Sequence, residues 1–351
     1  MNDPEEPCGL MGLVAHGCGD VYLHGNPQMS IFDKSYKRTT NSTFTYLKRD
    51  LIKTGEIWSM SFTPQKCDII GDCYLCFTPK NKFSFSDIQS CTISATVKDF
   101  KQDLETLTGD TLRILAHEND TVSVEEGNGL VMIPLPFFFT KDPEDFFNLM
   151  ASQEMNVSIE CKLSDNVLNP HIVYNGLFLE ADERKKCATQ SFEKLCLTCK
   201  TVALKFMSDG DGCVTANVSN YFNEQCKDLR LQIEDGTCTK IDVRLNGSLH
   251  MSLNSIMTTR IIPKKYYGIS KKSDQSIQPI HYIPFCMNPN FNALTSTIHL
   301  GRIDSAELKL SGLNANTCYT VHIVGRFYNV MRYMHGMCGF AISSPSDYLS
   351  K

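Results

Sequence analysis

Along most of the chain, apolar and polar residues alternate with a period of two, which is typical of half-buried β-strands. Ile93, Ala95 and Val97, for example, alternate with Ser94 and Thr96. The same alternation predicts strands at residues 229–233, 241–245, 249–253, 308–310 and 319–323.

Turn-forming clusters separate these segments, at residues 71–72, 208–212, 235–236, 246–247 and 314–316. Asn246-Gly247 lies between two alternating segments and is the strongest hairpin signal in the chain. In the closing stretch Asn314–Ser343, we predict a turn at Arg326–Asn329. Gly336 and Gly339 are expected to let the end of the chain pack closely against its own sheet.

Few segments have a helical pattern. Asp142–Gln153 begins with an N-cap Asp, a Pro and a Glu, and Asp182–Ala188 is a short charged segment. Many short strands with few helices favour sandwiches or barrels, so the predicted fold class is all-β. The polar stretch Lys162–Asn169 marks a candidate domain boundary between two strand-rich halves.

The composition excludes several classes of protein. A hydrophobic content of 42% is sufficient for real cores, and a net charge of −5 argues against a dedicated nucleic-acid binder. No apolar run approaches the roughly 20 residues that span a bilayer. The acidic start of the chain differs from a secretory signal, so we expect an intracellular protein.

The chain contains 16 cysteines, which we expect to be free thiols. Two CxxC pairs, Cys73/Cys76 and Cys196/Cys199, imitate a split zinc site. Both lie in strand-like runs, where residues three apart face opposite sides and cannot chelate one ion. The pattern therefore favours buried free cysteines over a metal site.

Candidate chemistry is weak elsewhere. The nine histidines form no H-x-H or H-E-x-x-H pattern, and His250 and His322 lie within alternating strands. The acidic pair Asp182-Glu183 beside Arg184 is interpreted as a solvated, internally paired turn. The Asn-x-Ser/Thr matches at Asn41, Asn119, Asn156, Asn217 and Asn246 are expected to be chance matches. We predict no catalytic, cofactor-binding or metal site.

Several motifs, in one order along the chain, resemble the major capsid proteins of nucleocytoplasmic large DNA viruses, the iridovirus and phycodnavirus type. Ile133–Pro143 resembles that family's Pro-Leu-x-Phe-Trp-Phe-x-Arg-x-Pro strand end, with Lys141 where Arg is usual. The other matching segments are Gly19–Gln28, Tyr36–Asn41, Asn175–Arg184, Ile280–Asp304 and the closing stretch.

The resemblance implies a double jelly roll, with two eight-stranded antiparallel β-sandwiches in tandem and few short helices. Residues 1–28 would form an N-terminal arm at the capsomer base, 29–163 the first jelly roll and 164–351 the second. Gly19–Arg38 would belong to the base segment, and Asn329–Gly339 to the packed closing segment of the second roll.

The implied function is that of a structural capsid subunit without enzymatic activity. Three copies would form a pseudo-hexagonal capsomer that tiles an icosahedral shell, assembled in the host cytoplasm and located in the virion. Neighbouring capsomers and minor capsid, penton and inner-membrane proteins would be its partners, and no direct contact with nucleic acid is expected.

Alternatives remain open. A minor capsid paralogue, or a poxvirus-like scaffold protein that shapes a membrane during assembly, would use the same fold. A carbohydrate-binding or enzymatic β-sandwich is a more distant alternative, and it predicts a deep pocket with converging polar groups or a bound metal.

Overall fold

The computed structural model describes residues 40–119, 123–124, 129–269, 278–289 and 294–342. The predicted arm 1–28 and the predicted base segment Gly19–Arg38 lie outside the described residues. Of the matching segment Tyr36–Asn41, only residues 40 and 41 are described. Antiparallel sheets account for most of the described chain, with helices at Gly109–Asn119, Ala181–Thr189 and Ile262–Tyr267. None of the helices in the described ranges has the length and apolar character needed to cross a membrane.

The first sandwich consists of a six-stranded and a five-stranded sheet. Its strands are β1 (Ser42–Asp50), β2 (Ile52–Thr54), β3 (Ile57–Ser61), β4 (Ile69–Pro79), β5 (Ile88–Val97), β6 (Phe100–Thr108), β7 (Ser123–Val124), β8 (Val131–Pro134), β9 (Phe147–Asn148), β10 (Asn156–Leu163) and β11 (Val167–Leu179).

The second sandwich consists of a six-stranded and a four-stranded sheet. Its strands are β12 (Phe192–Met207), β13 (Cys213–Asn217), β14 (Gln225–Ile233), β15 (Lys240–Leu245), β16 (Ser248–Asn254), β17 (Ile280–Pro284), β18 (Ile298–His299), β19 (Ala306–Ser311), β20 (Cys318–Met334) and β21 (Met337–Phe340).

Both sandwiches have the same strand order. When the eight longer strands of each are numbered in chain order, one sheet runs 1-8-3-6 and the other 2-7-4-5. In each case the first strand pairs with the last: β1 with β11, and β12 with β20. This is the order of a jelly roll, so the predicted all-β double jelly roll is confirmed.

The strand β11 lies in the first sandwich, between β1 and β4. The sequence placed the start of the second jelly roll at residue 164, which assigns this strand to the wrong half. The polar stretch 162–169 covers the end of β10, a turn at residues 164–166 and the start of β11, all within the first sandwich, and in the turn Asn166 donates to Asp87 (2.9 Å). The chain passes to the second sandwich only after β11, through the helix Ala181–Thr189.

Several local predictions are confirmed. The turn Asn246-Gly247 joins β15 to β16, and both residues have positive φ (48° and 79°), as a type I′ hairpin turn requires. In β19 the predicted alternation buries Ala306, Leu308 and Leu310. The predicted helix Asp182–Ala188 is observed as Ala181–Thr189.

The predicted helix Asp142–Gln153 is wrong beyond its first turn. Pro143–Asp145 and Met150–Ser152 form separate 3₁₀ turns, with the short strand β9 between them. The residues of β9 pair with Ile69 and Ile70 of β4, and its Phe147 is fully buried in the first core. Sheet pairing and burial therefore override the helical start signal.

No sequence pattern predicted the helix Gly109–Asn119. Its first residue packs closely against the backbone of residues 85 and 88. Thr108 caps it by accepting from the Thr111 amide (3.3 Å). A Cβ at Gly109 would lie 2.2 Å from the carbonyl oxygen of Phe85 and 2.4 Å from that of Ile88. Glycine is therefore required here for the backbones to meet.

We predict that Gly109→Ala lowers the free energy of unfolding by about 2–3 kcal/mol, because neither carbonyl oxygen can yield without moving backbone. Gly210→Ala is the matched control, since a Cβ there would meet nothing within 4 Å. Urea unfolding of the two variants measures the difference. Equal stability would show that the helix start adapts to the methyl group.

Candidate assembly surfaces and the junction between the sandwiches

The second sandwich contributes side chains to the core of the first. Cys196 of β12, with Met331 and Tyr333 of β20, packs into the first core. The Tyr333 ring stacks on Phe192 with centroids 4.7 Å apart, and it meets the edge of Phe147 of the first sandwich at 5.8 Å. We call this contact region the junction; it consists of β12, β20, β21 and the first-sandwich residues that they touch.

The closing segment Asn329–Gly339 forms part of the junction. Its hairpin turn is His335-Gly336, with φ of 52° and 77°, between β20 and β21. The Gly336 carbonyl accepts from the Glu154 amide (2.9 Å), and a Cβ at Gly336 would lie 2.6 Å from Glu154 Cγ. The close approach expected of Gly336 is therefore to the first sandwich rather than to its own sheet.

The turn predicted at Arg326–Asn329 does not occur, because β20 continues through it and pairs with β12 along its whole length. The polar side chains that indicated a turn form hydrogen bonds or ion pairs within the continuous strand. Asn329 donates to the Ile342 carbonyl (2.9 Å) and accepts from the Val330 amide (2.7 Å).

A buried carboxylate links the two sandwiches through backbone groups. Glu105 of β6 accepts from the Phe138 amide of the first sandwich and from the Cys199 amide of β12, both at 2.7 Å. Burial raises the pKa of Glu105 to about 8, although the hydrogen bonds from the two backbone amides lower it. Each carboxyl oxygen thus satisfies one amide that the junction would otherwise bury without a partner.

A second polar cluster lies at the junction side of β14 and β20. Asp228, opposite Arg326 in the ladder, accepts from Arg326 Nε at 2.9 and 3.0 Å and is also in contact with Arg326 Nη2. Tyr267 donates to Asp228 (3.0 Å), and Arg230 lies 3.6 Å away, with its guanidinium over the rings of Tyr267 and Tyr282.

The electrostatics of this cluster follow from its burial, since Asp228 and Arg230 are fully buried. Burial alone would raise the pKa of Asp228, but the guanidiniums of Arg326 and Arg230 hold it at about 2. Asp228 is therefore a buried anion that neighbouring cations keep ionised.

A cavity of about 350 Å³ adjoins the cluster, lined on one side by the Pro134–Phe138 stretch and on the other by Arg230, Tyr267 and Arg326. Two of its charged lining residues, Arg230 and Arg326, are engaged in ion pairs with Asp228. This arrangement is typical of a structural ion-pair network, and the described lining residues include no nucleophile–base pair.

The cysteines and histidines that were considered as metal ligands lie apart from one another in the structure. Cys73 and Cys76 are buried on β4, and Cys196 and Cys199 on β12, all as free thiols. No group of three potential ligands comes together in the described part of the chain. His250 is exposed on β16, whereas His322 is buried on β20.

The charged segment at Asp182–Lys186 is only partly solvated. Lys186 pairs with Glu183 (3.0 Å) on the helix surface, as the sequence indicated. Arg184, however, reaches the buried Asp68 (2.9 Å) and so ties the helix to the first sandwich.

Each sandwich has a long, largely exposed strand at the edge of a sheet, β1 in the first and β16 in the second. In β1, Phe44 and Tyr46 are 64% and 58% exposed and touch edge to face. In β16, the exposed side chains include Leu249 and His250. Exposed apolar edges are candidates for contact with another chain, because they carry unpaired backbone groups. We call β1 and β16 the candidate assembly edges.

We predict that Glu105 stabilises the folded state at low pH and that this contribution is lost as pH rises from about 4.5 to about 8. The folded state keeps the proton of Glu105 up to about pH 8, whereas an exposed glutamate loses it near 4.5. Glu105→Gln should remove this component of the pH dependence and lower stability at pH 5, since its amide group would face a backbone donor.

Urea unfolding at pH 5 and pH 8 measures the effect, with the exposed Glu56→Gln as the control. An unchanged pH dependence in Glu105→Gln would contradict the prediction.

We further predict that Arg326→Met lowers the free energy of unfolding by about 3–5 kcal/mol, because it removes the main cationic partner of the buried Asp228 carboxylate. Arg332→Met, on the same strand, is the control. Arg332 forms a half-exposed pair with Glu193 (2.6 Å), and losing such a pair costs at most about 1 kcal/mol. Thermal or urea unfolding compares the two variants. Similar losses of unfolding free energy would refute the prediction that the buried ion pair stabilises the fold more than the half-exposed pair.

No protein-family model matches the chain. In a search of curated proteins, the chain is 24% identical over 403 aligned residues to the major capsid protein of Pyramimonas orientalis virus, covering 96% of this chain and 99% of that protein.

Among solved structures, the capsid model of the virus PBCV-1 matches with a TM-score of 0.74 at 16% identity, covering 90% of this chain and all of that one. The Faustovirus major capsid protein matches with a TM-score of 0.61 at 9% identity, covering 90% and 94%. These structures establish the fold, and the full-length sequence match agrees with the resemblance seen in the motifs. The chain is therefore similar in sequence to a viral major capsid protein over almost its whole length, and it has the double jelly-roll fold of the viral capsid proteins that it matches.

Proposed function

We propose that this chain is a structural capsid subunit, three copies of which form a pseudo-hexagonal capsomer that tiles an icosahedral viral shell. The observation that carries the proposal is the repeated strand order: two jelly rolls of the same topology lie in one chain. A trimer of such chains presents six similar flanks, so that a threefold object can fill a sixfold lattice.

The relatives support this function, because the sequence match to a viral major capsid protein covers almost the whole of both chains. The described surface is compatible with lateral packing. Each sandwich has a candidate assembly edge, β1 or β16, and the net charge of −5 is mild. A structural rather than enzymatic role also agrees with the polar groups at the junction, which bond to one another and to backbone.

The partners follow from this function. Neighbouring capsomers would be the main contacts, with minor capsid, penton and inner-membrane proteins beneath and between them. We propose the virion as the location of the assembled protein, after assembly in the host cytoplasm. Counting copies per purified particle distinguishes the alternatives: thousands indicate the major capsid protein, a few a minor paralogue, and none a scaffold.

We expect the purified chain to form trimers, seen as pseudo-hexagonal particles by electron microscopy and as three times the chain mass by light scattering. A strictly monomeric protein under all assembly conditions would contradict the proposal. A double variant, Phe44→Lys with Tyr46→Lys, tests the β1 edge, because lysines on an edge strand oppose contact with another chain.

Tyr221→Lys is the control for that variant, since Tyr221 is also an exposed aromatic residue (49%) but lies in a turn rather than on an edge strand. Loss of trimers in the β1 variant alone would assign the edge to the interface. Trimers in both variants would remove β1 from the interface and leave the proposed function in place.

A further inference from the structure

The two sandwiches repeat each other in local detail as well as in strand order. β6 and β16, which have the same place in that order, each contain one extra residue relative to the strand beside them, at positions 104 and 250. Each strand then ends in a residue whose side chain caps the helical segment that follows. Thr108 accepts from the Thr111 amide (3.3 Å), and Asn254 accepts from the Met257 amide (2.8 Å). Both caps lie at the same distance from the extra residue, so the two segments correspond residue by residue.

The sheets that contain the first strands correspond in the same way. The first amide after β8 donates to the Cys73 carbonyl (2.8 Å), and the first amide after β17 donates to the Lys227 carbonyl (2.9 Å). Cys73 of β4 and Lys227 of β14 therefore have the same position. From the next residue of each strand, the ladder pairs lead across β11 to Lys48 of β1 and across β20 to Cys199 of β12. The first strands of the two sandwiches are thereby aligned as well.

The junction joins two parts of this repeat within one chain. On the first-sandwich side it includes β6 and the helix after it, and on the second-sandwich side the outer face of β12 and β20. Glu105 accepts from the Cys199 amide (2.7 Å), and Asp110 of the helix lies 3.4 Å from His322 of β20. The corresponding parts that this contact does not use are β16 with its helical segment and the outer face of β1 and β11. Each chain therefore uses one surface of each kind and leaves one of each kind open.

Both of these open surfaces carry exposed apolar side chains. Tyr46 of β1 is 58% exposed, whereas the corresponding Leu197 of β12 is only 9% exposed at the junction. Ile261 is 45% exposed, whereas the corresponding Leu115 of the first-sandwich helix is 7% exposed. Ile256, on the same segment as Ile261, is 61% exposed. Positions that the junction covers in one sandwich are thus apolar and uncovered in the other.

We propose that the open surfaces of neighbouring copies bind each other as the junction joins the two sandwiches of one chain: the segment from β16 to Ile261 of one copy covers the outer face of β1 and β11 of the next. The occupant of each open surface is therefore a second copy of this chain. The inference rests on the proposed function, because it specifies how three copies join. Around the trimer, three junctions within chains would alternate with three contacts between chains, a head-to-tail arrangement that can close into a ring.

The contact between copies differs from the junction in one respect. Met251 has the position of Glu105, so this contact lacks the buried carboxylate that binds the Cys199 amide within the chain. The contact between copies therefore depends on its exposed apolar side chains, whose burial supplies the driving force. Replacing those side chains with lysine should abolish the contact between copies and leave the junction within each chain intact.

The experiment uses two variants of the full chain, each with one open surface blocked. The β1 variant carries Phe44→Lys with Tyr46→Lys, and the β16 variant carries Ile256→Lys with Ile261→Lys. Each variant alone should be monomeric, because every head-to-tail contact needs one surface of each kind. Mixed in equal amounts, the two variants should form dimers, since each supplies the surface that the other lacks.

Light scattering should show that the mass doubles on mixing, and native mass spectrometry should find one copy of each variant in the dimer. The mixture is measured well above the concentration at which the wild type forms trimers, because an open pair lacks the avidity of a closed ring. Tyr221→Lys is the control and should keep the wild-type trimers, since Tyr221 is exposed in a turn.

Urea unfolding of both variants should match the wild type, because all four substituted side chains are exposed. If a double variant does not fold, the single variants Tyr46→Lys and Ile256→Lys take its place.

Wild-type trimers without mixed dimers overturn this inference and leave the proposed function in place. Dimers or trimers formed by either variant alone also overturn it, since they indicate contacts between like surfaces or elsewhere on the chain. A wild-type chain that stays monomeric overturns the proposed function and this inference with it.

Discussion

The structure depends on the burial of one sheet on both of its faces. The sheet β12–β20–β14 packs one face into the second core and the other against the first sandwich, the helix Gly109–Asn119 and the helix Ile262–Tyr267. In a sheet covered on one side only, alternate residues would face water. In β14 and along most of β20 they do not, and β14 is buried at nearly every position. Apolar contacts on the outer face of this sheet, with buried polar groups between them, hold the two jelly rolls together.

That burial explains the unusual polar groups of the chain. Asp228, Arg230 and Arg326 belong to strand faces that would be solvated in an isolated sandwich, and the junction removes them from water. Ionised groups persist in such a place only with compensating partners, so they hold one another. Glu105 has the same role for the backbone, by satisfying amides from both sides at once. The polar network is thus a consequence of the junction and also makes its geometry specific.

A fixed relation between the rolls suits the proposed shell function. Neighbouring subunits could bind repeatedly only if the flanks of both sandwiches keep a constant orientation. The closing hairpin contributes to this, because its turn at Gly336 contacts Glu154 of the first sandwich. The last strands of the chain therefore attach the second roll to the first as well as completing its sheet.

The sequence by itself determined the local structure wherever a short-range rule applies. Period-two alternation identified β19, Asn246-Gly247 identified the hairpin between β15 and β16, and the ordered motifs identified the double jelly roll. The polar stretch between β10 and β11 led to a wrong domain boundary, because a turn within a sandwich and a boundary between sandwiches contain the same types of polar residue. Only the tertiary structure decided which polar residues are buried. Arg230 and Gln232 alternate with apolar neighbours in β14 as solvent-facing residues would, and Glu105 and His322 have no distinguishing sequence context. Their burial depends on residues distant in the sequence that pack against them, such as Tyr267 and Tyr282 over Arg230 and Phe138 and Cys199 beside Glu105.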